Sequence, residues 1–114
     1  MQIDIQALDF TLTDRLRAHV EQRLRFALTR LQDRMRRVSV RLSDVNGPKG
    51  GVDKRCLVRI KTNGLPDIIV EDTEANLYVA VNRAVDRARR TLERRQWRAR
   101  SLELNASFQR SGDD

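Results

Sequence analysis

Arg83, Arg87, Arg90 and Arg94 follow one another at spacings of four, three and four. On a helix that spacing lines the four guanidinium groups along one narrow stripe. Guanidinium forks grip phosphate bidentately and stack on exposed bases, so such a row reads as a phosphate-binding surface. Like charges this close cost an isolated helix about a few tenths of a kcal/mol per pair, which asks for a compensating anion. RNA phosphate is one; the competing reading is a plain solvated helix face. A second row, Arg15, His19, Arg23, Phe26 and Arg30, runs at spacings of four, four, three and four. By the helical wheel Phe26 points away from the apolar side, and an aromatic ring among cations suits base stacking. A ring folded back over the sheet edge, or covering a loop, is the alternative. His19 reads as a surface histidine rather than a catalytic base.

Other candidate chemistry is thin. Lys49 sits in Gly47-Pro48-Lys49-Gly50-Gly51. That segment lacks the G-x-x-x-x-G-K-[ST] form of a phosphate loop and joins two strands, so it reads as a mobile hairpin loop offering one useful lysine. The lone Cys56 falls at an inward strand position, where a thiol is inert packing. Asp and Glu are scattered singly, without a carboxylate pair or a metal-ligand cluster. No catalytic residue, cofactor, metal or small-molecule substrate is therefore expected, and the chain reads as a non-enzyme.

The elements that position these residues follow from periodicity. Ile3, Ile5 and Ala7 alternate along a first strand. Thr13 is a candidate N-cap, and Leu16, Val20, Leu24, Ala27, Leu28 and Leu31 mark a helix over about 13–33. From Arg37 the period becomes two, with Val38, Val40 and Leu42 inward. Cys56, Val58 and Ile60 define a further strand over about 54–62. Asn63-Gly64 follows at once and predicts a tight type I′ hairpin, because that turn needs positive φ at both central positions. The returning strand is expected to run from Asp67 to Glu71. Asp72-Thr73-Glu74 then supplies capping and acidic residues for a second helix reaching about Arg95, with Leu77, Val81, Ala84, Ala88 and Leu92 inward. The fold class is α+β, ordered β-α-β-β-β-α: a four-stranded sheet exposed on one face, with two helices on the other. The expected organisation is one domain over 1–96 and a short, flexible polar tail over 97–114.

Composition agrees and localises the charge. The 114 residues carry 23 basic and 16 acidic side chains, a net +7, and 20 of the 23 are Arg. Codon bias in a GC-rich genome would produce the same Arg excess, so placement has to decide. Residues 1–44 hold nine basic and six acidic groups, and residues 45–73 hold five and four. Residues 74–100 hold eight and three, so +5 of the surplus lies in the second helix and its continuation. A single cysteine excludes an internal disulfide and fits a reducing cytoplasm. The alternating acidic N-terminus is no signal peptide, and no apolar run is long enough to span a bilayer.

The element order, together with Leu16-Arg17-Ala18-His19-Val20-Glu21-Gln22-Arg23-Leu24, Asp33-Arg34 and Asn76-Leu77-Tyr78-Val79-Ala80-Val81-Asn82, resembles the ribosome hibernation promoting factor family, also called ribosome-associated inhibitor or S30AE-domain proteins. The resemblance covers about residues 1–96. It implies a cytoplasmic bacterial protein, with a fold similar to double-stranded-RNA-binding domains, that acts in translation regulation under stress. It further implies docking on the small ribosomal subunit between head and body, over the messenger and tRNA sites, with basic helix faces on ribosomal RNA. Arg23 and the run Arg83, Arg87, Arg90 and Arg94 match the family's basic positions. Asn82 stands where members commonly have Asp. With 17 residues after Trp97, too few for another core, the chain is expected to be a short-form member. The alternative reading is a protein-interaction or transcription-modulating module using the exposed sheet face or the Trp97 tail.

Overall fold

The computed structural model of the chain describes residues 1–44 and 52–112, with side chains over that range except 32–34, 103 and 105–112. Strand β1 (Gln2–Leu8) leads into helix α1 (Asp14–Leu28), a 3₁₀ segment (Thr29–Arg34), and strands β2 (Met35–Asp44), β3 (Lys54–Thr62) and β4 (Ile68–Glu74). Helix α2 (Leu77–Gly112) ends the described chain. The sheet order is β1-β2-β3-β4. β1 runs parallel to β2, as a crossover through α1 requires, and the other two pairings are antiparallel. The expected α+β class and element order are borne out.

Both helices cover one face of the sheet and share one core. Leu16, Val20, Leu24 and Leu28 of α1 meet Val38, Val40 and Leu42 of β2 and Cys56, Val58 and Ile60 of β3. Ile68 of β4 joins them, with Ala80, Val81, Ala84, Val85, Ala88 and Leu92 of α2. Ala80, Ala84 and Ala88 recur every fourth residue, and their small side chains let the helix lie close on β3 and β4. Thr13 caps α1 as expected, its Oγ1 accepting from the Leu16 amide at 3.2 Å.

Four boundaries differ from expectation. Helix α1 stops at Leu28 and tightens into the 3₁₀ segment, where Leu31 leaves helical geometry at φ −115°, ψ 20°. The α2 cap is Asn76, whose Oδ1 accepts from the Tyr78 amide at 2.8 Å. Asp72, Thr73 and Glu74 instead extend β4, opposite Cys56, Arg55 and Lys54. The β3–β4 connection is no two-residue turn: it spans 63–67, with positive φ at Gly64 (73°) and not at Asn63. Pro66 cannot donate to the ladder, so pairing resumes only at Ile68, and the Thr62 hydroxyl donates to the Leu65 carbonyl at 3.3 Å inside the loop. Lastly, α2 does not fade near Arg95 but continues helical to Gly112. Its apolar period ends at Leu92, yet no glycine or proline interrupts 93–111, and a run rich in good helix formers has nothing to stop it.

The overhang of α2 gives the molecule extents of 69 × 23 × 19 Å. Gln96, donating to the Leu31 carbonyl at 2.9 Å, ties it to the 3₁₀ segment, and Arg95, donating to the Pro66 carbonyl, ties it to the β3–β4 loop. Beyond them Trp97, Leu102 and Leu104 stand exposed. No helix is long and apolar enough to cross a membrane.

Candidate nucleic-acid interface

The two rows of candidate residues lie on the helical layer, and the structure treats their members differently. On α2 the four arginines do share an exposed stripe, but half of it is held by the protein itself. Arg83 Nε lies 3.1 Å from Glu74 Oε1. Arg87 donates to the Glu71 carbonyl at 2.8 Å and pairs with Asp72 at 3.5 Å. The compensating anions for these two are thus largely internal, supplied by β4, which passes beside the helix. Among the described residues Arg90 reaches Asp86 of its own helix, at 3.2 Å, and Arg94 reaches the Thr91 hydroxyl, at 3.5 Å. Exposed pairs of this kind are worth about 0–1 kcal/mol, so an incoming phosphate readily displaces them.

On α1, His19 is not a surface residue. Its Nε2 donates to Asn82 Oδ1 at 2.8 Å, and its ring meets Tyr78 edge-on with centroids 4.9 Å apart. It is a seam residue that fastens α1 to α2 across 63 positions of sequence. Asn82, noted as a departure from the family pattern, is the other half of that fastening. Arg23 is half-buried along the same seam, its Nε enclosed without a hydrogen-bond partner. Arg15 is exposed in the first turn of α1, and Arg30 is exposed in the 3₁₀ segment that follows it.

Phe26 is 84% exposed. It is not folded back over the sheet edge; it lines a groove of about 720 Å³ between the helices, with Arg23, Arg30, Asp86, Arg89 and Glu93. Glu93 also borders the depression formed by Arg87, Arg90 and Arg94, so the groove and the free half of the α2 stripe are one continuous surface. The spacing of Arg89 had not singled it out. It bridges Asp86 at 2.8 Å and Glu93 at 2.9 Å, one turn away on each side. The hydrogen bond from Arg89, then the nearby charges of Arg90, Arg89 and Arg23, hold the Asp86 carboxyl below the usual carboxylate range. The acids at i−3 and i+4 were the signal for this clamp.

Lys49 lies outside the described residues. Cys56 is fully buried on β3, and burial, reinforced by Asp72 opposite, pushes its thiol up to about 12. Among the described residues no group of His, Cys, Asp or Glu could hold a metal ion.

What these residues assemble is an open, cation-rimmed groove lined in part by a bare aromatic ring, not an enclosed pocket converging on a reacting atom. The overall fold recurs in known structures. The crystal structure of the Thermus thermophilus Protein Y N-terminal domain matches with a TM-score of 0.68 at 30% identity, over 82% of this chain and 98% of that one. A ribosomal subunit interface protein from Coxiella burnetii matches with a TM-score of 0.69 over 84% and 98%, and at 17% identity that likeness concerns the fold. A comparison with curated protein sequences returned no match. The family described as Sigma 54 modulation protein / S30EA ribosomal protein matches residues 3–100, from the start of the sheet to Arg100 within α2, and bears out the resemblance read from the sequence. The chain therefore belongs to the S30AE family.

Proposed function

We propose that this protein is a non-enzymatic, cytoplasmic hibernation factor that binds ribosomal RNA of the small subunit near the decoding region and blocks the messenger and tRNA sites. The observation that carries the reading is the Phe26 groove. An unpaired base can stack on the ring while Arg23 and Arg30 on one wall, and Arg90 and Arg94 beyond Glu93, take the flanking phosphates. Membership of a family described in terms of a ribosomal protein supports the target. The open groove, shaped for a strand rather than a small molecule, supports RNA as the ligand.

The test is binding of purified small subunits over a salt series. Wild-type affinity falls linearly on a log–log plot as phosphate contacts release counterions. The variant R30A/R90A/R94A removes three cations, none of which bridges to another strand or helix among the described residues, and should lower the slope by about 2–3 with the melting temperature unchanged. Arg83 and Arg87 are poorer probes, because losing Arg87 would strip Asp72 of its ion-pair partner. Saturating protein should also prevent mRNA and initiator tRNA from joining the small subunit. An unaltered slope would refute the groove, and undisturbed mRNA and tRNA binding would refute the block.

A further inference from the structure

The outer face of the sheet, away from both helices, carries its own cluster of cations. Along β2 and β3 the outward positions include Arg37, Arg41, Arg55, Arg59 and Lys61. Register places Arg37 directly opposite Lys61, and Ser39 opposite Arg59. These four make a two-by-two block, with about 4.8 Å between strands and about 6.7 Å from one outward position to the next. They line a notch of about 120 Å³ that opens into a shallow depression of about 690 Å³ running toward β1. From the block we infer that the sheet face is a second phosphate-binding surface, which seats the backbone of an RNA strand while the helical groove holds another.

Three observations support this. First, like charges directly opposite on neighbouring strands are destabilising, so Arg37 against Lys61 costs the fold something that a bound phosphate would repay. The internal anions cover this only partly: Arg37 leans to Asp4 at 3.3 Å and Arg59 to Asp67 at 2.7 Å, both at the exposed surface, while Lys61 has no ion-pair partner among the described residues. Second, β2 and β3 are the two inner strands of the sheet, so the charges do not serve to protect an edge from pairing. Third, the chemistry suits a phosphodiester: two guanidinium groups, an ammonium and the Ser39 hydroxyl line one notch, and no apolar side chain lines it. A protein partner would call for a buried apolar centre to its interface, which this block lacks, although Leu57 and the exposed Ile69 line the adjoining depression.

The two surfaces lie on opposite sides of a molecule 19–23 Å across its short dimensions, well beyond the screening length of about 8 Å at physiological salt. Phosphates on one face therefore do not repel phosphates on the other. The protein can sit between two backbone segments at once, and the two contributions should add.

This inference takes the ribosomal target from the function proposed above, and the experiment separates the two. Full-length wild type, the groove variant R30A/R90A/R94A, the sheet variant R37S/R59S/K61S and their combination are titrated against small subunits over a salt series. The sheet variant should bind about tenfold more weakly at 0.1 M salt, with the slope reduced by about 1–2 units, and the combination should lose both increments. The single change K61E, at a side chain with no ion-pair partner among the described residues, should act in the same direction. Unchanged affinity and slope in both the sheet variant and K61E would overturn the second surface while leaving the groove intact. Loss in the sheet variants alone would uphold this face and refute the groove. A partner that is lost from the sheet variant but survives nuclease treatment and high salt would assign the face to protein and overturn the inference.

Discussion

Phe26 allows stability and binding to be separated with one substitution. Phe26→Ala removes a ring that is 84% exposed, so only about a sixth of its surface, roughly 30 Å² of some 200 Å², is withdrawn from water. At about 25 cal/mol per Å² the loss to the fold is at most about 0.8 kcal/mol, and the better helix propensity of Ala offsets about 0.5 kcal/mol of it. Stability should therefore stay within about 0.5 kcal/mol of wild type. If a base stacks on the ring, the same change should cost about 1–3 kcal/mol of binding, a loss of roughly 5- to 150-fold. The assays are urea unfolding followed by tryptophan fluorescence and circular dichroism, and titration of small subunits at fixed salt. F26W should retain affinity and F26L should fall between, while the salt slope stays at the wild-type value in all three because no phosphate contact is touched. Wild-type affinity for F26A would refute stacking. A stability loss above about 2 kcal/mol would refute the exposed placement of the ring.

Three further outcomes follow from the described contacts. His19→Ala removes the hydrogen bond to Asn82 and the edge contact with Tyr78, and should destabilise the protein by about 1–3 kcal/mol by chemical unfolding, with F26A as the near-neutral control on the same helix. Cys56 should resist iodoacetamide at pH 8 in the native state and react on unfolding. Since its folded value of about 12 exceeds the ordinary thiol value, the folded state keeps the proton longer, and stability should decline as pH rises between the two. For Asp86 the sign is opposite: a depressed folded value means that its contribution is present above the ordinary carboxylate range and is lost as pH falls through the lower folded value. NMR titration of the Asp86 carboxyl should show a midpoint below those of exposed aspartates, and R89A should move it back toward them.

The two layers, the order of elements, the inward faces and the family were legible in the residues themselves, because alternation and 3.6-residue periodicity record which side of each element is buried. Leu16-Val20-Leu24-Leu28 and Val38-Val40-Leu42 needed no tertiary information. Element ends were less legible. Periodicity reports burial and propensity reports helix, and beyond Leu92 the two part company, so α2 outruns its apolar stripe. The Asn63-Gly64 pair looked like a tight turn, but Pro66 withholds a donor from the ladder and delays the pairing.

What the sequence by itself determined is that the surplus charge lies in arginines at helical spacing and that Phe26 stands among them. Only the tertiary structure decided which of those cations are available. Glu74 and Asp72, which the sequence offers as caps of the second helix, instead end β4, and the helix packs back alongside that strand so that they occupy Arg83 and Arg87. Asn82 likewise turned His19 from a surface residue into a seam, and strand register brought Arg37, Arg59 and Lys61 into one block that no local spacing could reveal. Helix spacing is a property of one segment, whereas a cation's partner depends on which segments the core packs together.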